Sequence, residues 1–401
     1  MKHEPVDESA GLCYNIPMKR ILKMSLDYLK RLDKLLLLLC LSAGFFSAYV
    51  IYTMVQNQVT PFAVSRHYQM QGAMTLLGFA AALIIGAVNY KYYAKAWYVS
   101  AAAGATLTLL LHTPLGMGTP GSEEVNWLNL GFAAIQPSEF LKVFFVITFS
   151  AHLSKIGARM NQLLHLGLLA LHAVIPMLLV FSRGDFGTTL VLMLITLTML
   201  FIAGLWWRYM AAVAAIIPVM AFVFWNFLFK PYHKLRILVL IDEEVRQSEM
   251  LGFFNQQHQS LVAIGSGELT GRGLSGGEYI YVPEYQTDFI FSYIGMTLGF
   301  VGCVAVLGWI VFILARILAA CLIAKDPLGK YMCVGVFSMI LYNTIINVGM
   351  CLAVMPVIGQ TLPFISAGGS SVLAHFMAIG LILSVRAHRT QKYHMFYTEK
   401  E

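Results

Sequence analysis

The chain has 401 residues, 58% of them hydrophobic and only 12% charged, against about 25% charged in an ordinary soluble domain. This excludes a soluble globular enzyme and predicts an all-α protein that crosses a membrane many times. The net charge of +7 does not imply nucleic acid, because the cations sit in short segments between apolar runs rather than in one patch.

Residues 1–33 are polar and basic, and 26–34 reads as an amphipathic stretch able to lie on a membrane surface. No cleavable signal peptide is visible, because the first apolar run lacks a small-residue cleavage site and reads as a true span. Apolar runs of spanning length follow at about 34–55, 71–89, 96–113, 137–153, 165–182, 187–205, 209–229, 287–315, 331–355 and 367–385. Each approaches the ~20 residues that a helix needs to cross a bilayer. The run at 287–315 is long enough to tilt or project.

Charge sets the expected orientation. With the N-terminus in the cytoplasm, the internal segments hold Lys91, Lys95, Lys155, Arg159, Arg208, Arg316, Lys325, Lys330, Arg386 and Arg389. The short external loops hold only Arg66 and Arg183. Cationic loops stay inside, so both termini are expected on the cytoplasmic side of the membrane. The expected organisation is a cytoplasmic segment 1–33, a ten-helix membrane domain 34–388 with a large external loop 230–286, and a tail 389–401. Cysteines 13, 40, 303, 321, 333 and 351 show neither metal-ligand spacing nor a disulfide framework, and read as small buried hydrophobes. His67, His112, His258 and His375 show no ligand spacing. No phosphate-binding loop of the Walker type exists, which argues against ATP-driven transport. The acidic run 242–244 falls outside, away from cytosolic nucleotide sugars.

Five polar clusters fall on the external side. Trp127 precedes Gln136-Pro-Ser-Glu139 and Lys142. Pro137 suits a first helical turn, and Glu139 and Lys142 share a helix face, whether as a structural ion pair or as part of a site. Arg183-Gly-Asp185-Phe-Gly-Thr-Thr189 reads as a tight turn between two spans. Arg236 lies in the large loop, where an arginine suits bidentate phosphate binding, although a solvated loop charge is commoner. Gln256 and Ser260 open a glycine-rich stretch that leads to Pro283-Glu284-Tyr-Gln-Thr-Asp288 at the mouth of an apolar helix. A charge inside bilayer costs roughly 3 kcal/mol or more at a helix centre, so an ionisable group there is a site candidate, although Asp is also a common helix cap. The last cluster holds Asn347 and Pro356 to Ser371, where Ser366, Gly368, Gly369 and Ser370 could form a backbone anion cradle or merely a tight bend. Together the clusters look like a pocket for an amphipathic, anionic substrate.

The segment Gln136-Pro-Ser-Glu139, the glycine-rich run, Pro283-Glu-x-x-Thr-Asp-Phe-Ile-Phe291 and Leu362-Pro-Phe-Ile-Ser-x-Gly-Gly-Ser-Ser371 closely resemble the SEDS family, the RodA, FtsW and SpoVE proteins, over about residues 30–388. The resemblance implies a peptidoglycan glycosyltransferase that polymerises lipid II outside the cytoplasmic membrane beside a class B penicillin-binding protein. It places the family's essential external aspartate at Asp288, its tryptophan at Trp127, its Glu and Lys at Glu139 and Lys142, and its Pro-Asp-Leu-Gly-Thr turn at 184–188. The sequence departs from the family at Met296-Thr297, where a Glu-Glu pair is usual, at Asn126 in place of Arg, and at Ala367 in place of Tyr.

An activated sugar outside the cell must arrive on a lipid diphosphate, since no nucleotide is present there. Asp288 is expected to act as base on the acceptor hydroxyl. Lys142, Arg236 and the amides near Gly368 and Gly369 are expected to neutralise the leaving diphosphate, with Trp127 stacking on a sugar. A helix dipole would lower the basicity of Asp288, whereas desolvation would raise it. No cofactor is demanded by any motif; a divalent cation, magnesium or manganese, could help hold the diphosphate. Two rivals are a lipid II flippase, which would need a polar track that the apolar inner halves lack, and a non-catalytic scaffold for the transpeptidase, suggested by Met296-Thr297.

Overall fold

The computed structural model describes residues 28, 30–59, 66–118, 124–131, 133–275 and 277–389. The amphipathic stretch at 26–34 lies partly outside these residues, as do Cys13 and the tail beyond Arg389. Eight described helices are long and apolar enough to cross a membrane: α1 (Lys34–Gln56), α2 (His67–Ala87), α5 (Pro137–Ile156), α6 (Leu163–Phe181), α8 (Trp207–Val223), α12 (Ile290–Ile323), α13 (Pro327–Cys351) and α14 (Gly369–His388). At the other two expected spans stand shorter helices, α4 (Trp97–Leu109), carried on by a tight turn to His112, and the apolar α7 (Phe186–Ile202). The short helix α3 (Tyr90–Lys95) joins α2 to α4.

The ends of these helices are written in the sequence. Asp33, Asn89, Asp185 and Asp326 each accept a backbone N–H of the turn that follows, which supplies a partner to amides that the helix leaves open. Proline stands in the first turn of α5 and α13, where its missing N–H costs nothing. The most enclosed helix, α14, packs against α2, α5, α12 and α13. In contrast α8 buries none of its residues, and an apolar surface all round suits lipid rather than water.

Alternation of the spans creates two faces. One carries the cations at 30–31, 91–95, 155–159, 208, 316–330 and 386–389. There Asp33, which is 2% exposed, accepts from Arg316 at 2.8 Å and Arg386 at 2.7 Å, tying α1, α12 and α14 together. The opposite face carries almost all the irregular chain, including a small antiparallel sheet, β1 (Gly116–Met117), β2 (Trp127–Asn129) and β3 (Ala134–Ile135), in the order β1-β2-β3. The large loop is not irregular throughout. It folds into α9 (Pro231–Ile241), α10 (Glu243–Ser248) and α11 (Asn255–Ser266), so Arg236, Gln256 and Ser260 sit on helices, and the irregular glycine-rich chain begins only at Gly267.

The long run 287–315 also differs from expectation. Its helix starts at Ile290 and is broken at Gly299, whose φ is 66°. The amides of Arg272 and Gly273 bond to the carbonyls of Met296 and Thr297, and those of Phe300 and Val301 to Glu268 and Leu269. Backbone freed by the break is thus satisfied inside the protein, as membrane depth requires. The approach leaves no room for a side chain at Gly271: its φ is +83°, and a Cβ there would lie 2.2 Å from the Thr297 carbonyl oxygen. A left-handed φ alone costs a non-glycine residue roughly 1–2 kcal/mol. Gly271→Ala is therefore expected to lower the melting temperature of the purified protein clearly. Gly308→Ala, with nothing within 4 Å of its Cβ, should leave it unchanged.

Candidate functional site

The turn 283–289 is fixed from behind. Glu284 adopts φ 58°, and its carbonyl accepts from the amides of Thr287 and Phe289. Tyr285 is buried and donates its hydroxyl to the carbonyl of Ile280 at 2.7 Å. The carbonyls of Gln286, Thr287 and Asp288 accept from the Ala367 amide, the Ser366 Oγ and the Asn347 Nδ2 at 2.7, 2.5 and 2.8 Å. Asn347 donates equally to the Gln360 carbonyl at 2.8 Å, so one side chain of α13 joins the turn to the 352–368 segment. The Asp288 side chain lies beside Gly359, where an added Cβ would stand 3.8 Å from Oδ2.

Asp288 is not the helix cap that the sequence suggested. Phe289 holds that place and makes no side-chain capping bond, so no helix amide is tied to the Asp288 carboxylate. Burial therefore governs its acidity and, with Glu284 and Glu124 nearby, pushes the pKa up to about 7, against the opposing pull of Arg236.

Arg236 is the cation of this centre. Its Nη1 reaches Glu124 Oε1 and the Val357 carbonyl, both at 3.2 Å, and its guanidinium lies over the Tyr232 ring at 5.6 Å. Burial pushes the Glu124 carboxyl up, Arg236 pulls it down and Asp185 raises it again. Asp185, capping α7 through the Thr188 amide at 2.8 Å, is raised by burial and partly restored by that amide. Asp288 and Glu124 thus lie within the influence of one guanidinium, and Asp185 joins them only as a charge neighbouring Glu124. Such a set is suited to gaining or losing a proton near neutral pH.

The Gln136 motif lies one layer deeper. Lys142 is 0% exposed, and its Nζ meets Glu139 Oε1 at 2.8 Å. The expectation that Lys142 faces a departing diphosphate is corrected by this depth: the pair is enclosed among α5, α13 and α14. The anion cradle is also turned inward in part. The Gly368 amide points to Gln71 Oε1 at 3.4 Å, and Ser370 Oγ accepts the Gln136 amide at 3.0 Å, while Gly369 packs against Met74. Ser366 and Ser370 therefore couple the bend to the Asp288 turn and to α5.

Trp127 sits half-buried in β2, three residues beyond Glu124, paired with Met117. Its hairpin is tied to the Asp185 turn by the bond from the Val125 amide to the Arg183 carbonyl. On α11, Gln256 is half-buried. Ser260 is buried, bonded to Ser292 Oγ at 2.5 Å and to the Cys351 carbonyl at 2.6 Å, and so holds α11 against α12. Its neighbour Gln257, which the sequence did not single out, donates to the carbonyls of Met350 and Met355 at 3.1 and 2.7 Å. Glu124 was also missed, although an acid just ahead of Trp127 in a short loop was a usable signal. Met296 and Thr297 are buried at 0% and 1% exposure. Met296 packs its sulfur on the Tyr285 hydroxyl at 3.8 Å, below the turn and away from the opening. Among the described residues no three His, Cys, Asp or Glu side chains converge as a metal site would require.

Removing one partner of a buried ion pair strands the other, at about 3–5 kcal/mol. Lys142→Met should therefore destabilise the protein strongly in thermal melts, and Lys142→Met with Glu139→Gln should recover most of the loss. An unchanged melting point for Lys142→Met would contradict the buried pair.

Comparison with known proteins agrees with this architecture. Residues 30–391 match the family described as cell cycle protein, FtsW/RodA/SpoVE. The chain is 31% identical over 266 residues to peptidoglycan glycosyltransferase MrdB of Escherichia coli (strain K12), covering 66% of this chain and 71% of that protein. It is 34% identical over 282 residues to stage V sporulation protein E of Bacillus subtilis (strain 168), covering 70% and 75%. Probable peptidoglycan glycosyltransferase FtsW of Geobacter metallireducens matches at 27% over 370 residues, covering 90% and 96%. Among solved structures, a chain of a peptidoglycan synthase complex, described for its coordination of polymerization and crosslinking, is similar with TM-score 0.74 at 24% identity, covering 90% of this chain and 99% of that one. The rod shape determining protein RodA of Thermus thermophilus is similar with TM-score 0.63 at 24% identity, covering 90% and 98%.

Proposed function

The chain belongs to the FtsW/RodA/SpoVE family of cell cycle proteins, and from that membership we propose that it is a peptidoglycan glycosyltransferase that joins lipid II units into glycan strands, with Asp288 as general base. The observation that carries the reading is the clamped turn that holds a carboxyl of pKa about 7 beside one guanidinium. A base titrating near the working pH is ionised often enough to act and still binds a proton well.

In this reading Asp288 takes the proton of the acceptor sugar's hydroxyl as that oxygen bonds to the anomeric carbon of the donor. The bond to the lipid diphosphate breaks, and Arg236, released from Glu124, meets the charge that develops on the leaving oxygen. Trp127, on the same face, offers a ring for a sugar to stack on. Lys142 and Glu139 hold α5 in place instead of touching the diphosphate. A magnesium or manganese ion would find no cluster of three His, Cys, Asp or Glu side chains to hold it among the described residues, so its ligands would come chiefly from substrate oxygens and water. The concentration of cations on the face opposite Asp288 supports an extracytoplasmic site and cytoplasmic termini. The similarity to a synthase described with crosslinking supports a class B penicillin-binding protein as partner.

The test is polymerisation of lipid II by the purified full chain. Asp288→Asn should lower the rate at least ~100-fold, the lower end of a general base's contribution, and wild-type rates from that variant would remove the assignment. Translocation of lipid II in liposomes without polymer would favour a flippase instead.

The pH dependence follows from the same carboxyl. The rate should rise with pH through about 7, because the base works only when ionised. Glu284→Gln removes an anion that raises the Asp288 pKa, so the acidic limb should move to lower pH. Arg236→Gln removes a cation that lowers it, so the limb of its residual activity should move to higher pH. Profiles of kcat/KM against pH, which report groups of the free enzyme, distinguish the two shifts.

A further inference from the structure

A cavity of about 870 Å³ opens on the basic face, far from Asp288, between α3, α5, α6 and the start of α13. Its rim carries Lys95, Lys155 and Arg159, none of which has an acidic partner among the described residues. The other cation there, Lys91, is already paired with Asp326 at 3.1 Å. No acid lines the cavity. Farther in, His152 and His172 approach through their Nδ1 atoms at 3.0 Å, and His172 Nε2 meets Thr148 Oγ1 at 3.1 Å. The Nδ1 of His165, which also lines the cavity, is buried without a hydrogen-bond partner.

This basic chamber does not end blindly. Trp97, Thr148 and His172 also line a groove of about 260 Å³ that continues along α4, α5 and α6. Its walls include Ala101, Ala105, Leu141, Phe144 and Leu179. Leu141 lies near the opposite end of α5 from Lys155, so the groove runs from the basic face into the depth of the bilayer. Trp97 is 50% exposed at the junction, the level at which amphipathic aromatic rings favour the membrane interface.

Unneutralised cations at the interface with an apolar slot beneath them match one chemistry, an anion attached to a hydrocarbon chain. We propose that this two-part cavity binds an anionic glycerophospholipid of the leaflet on the basic face. The headgroup phosphate sits among Lys95, Lys155 and Arg159, and one acyl chain lies in the groove between Ala105 and Phe144. A soluble phosphate would use only the first half of the site. The site lies outside the transferase centre and stands whether or not the assignment of Asp288 holds.

The experiment is native mass spectrometry of the full chain with phosphatidylglycerol and phosphatidylcholine of identical acyl chains. The wild type is expected to retain phosphatidylglycerol with roughly tenfold preference, since each basic residue near a membrane surface adds to attraction for anionic lipid. Lys95→Gln/Lys155→Gln/Arg159→Gln, changes at the cavity rim, should abolish the preference. Ala105→Phe, which fills the groove, should weaken retention, and phosphatidylglycerol with six-carbon chains should reproduce that loss on the unaltered protein. Equal retention of both lipids by wild type, or an unchanged preference in the triple variant, overturns the proposal. So does short-chain lipid or inorganic phosphate competing as well as the long-chain lipid, which would make this a soluble-anion site. Displacement of phosphatidylglycerol by a polyprenyl phosphate at equal concentration would overturn it in favour of the carrier lipid.

Discussion

The bonds that Ala367, Ser366 and Asn347 make to three successive carbonyls at 286–288 are the constraint on which the site depends. They occupy the backbone of the turn and leave the Asp288 side chain facing Gly359 with no helix amide to stabilise its anion. A carboxylate placed so binds its proton more tightly than one in water, because burial penalises the charge. Position is what matters here, since the same residue one step further along would cap α12 and become a weak base.

The remaining site follows from how α13 and α14 are buried. Asn347 on α13 is 0% exposed and Ser366, in the bend ahead of α14, is 1% exposed, so the turn is clamped from inside the protein. Glu139 and Lys142 are paired in the same interior. Arg236 approaches from the other side, on a helix of the large loop, and lies in a partly buried bond to Glu124 at 3.2 Å. In the proposed reaction the clamped carboxyl and this paired cation divide between them the two tasks of glycosyl transfer, taking a proton and receiving a leaving group.

Much of this was legible in the sequence because the signals were local. Apolar runs of about twenty residues located the eight helices long enough to span and the two shorter helices among them, and the alternation of cations between the runs separated the two faces. Asp288 and Ser366 were marked as polar residues at the ends of apolar runs, and Asn347 as an amide within one. What was not legible depends on contacts between distant residues. The break at Gly299 is allowed by amides of residues 272–273, and the importance of Glu124 rests on Arg236, 112 residues away. Lys142 shows the limit of spacing: three residues from Glu139 predicts a pair, but not the depth at which the pair lies. Gly368 read as an open amide because nothing nearby in sequence announces Gln71.

The central claim is that burial, more than any single charge, sets the acidity of Asp288. It is tested most directly by infrared difference titration of the purified protein, wild type against Asp288→Asn, following the protonated carboxyl band from pH 3 to pH 9. The account predicts a midpoint at about 7; a midpoint at about 4, where an ordinary solvated aspartate titrates, would contradict it.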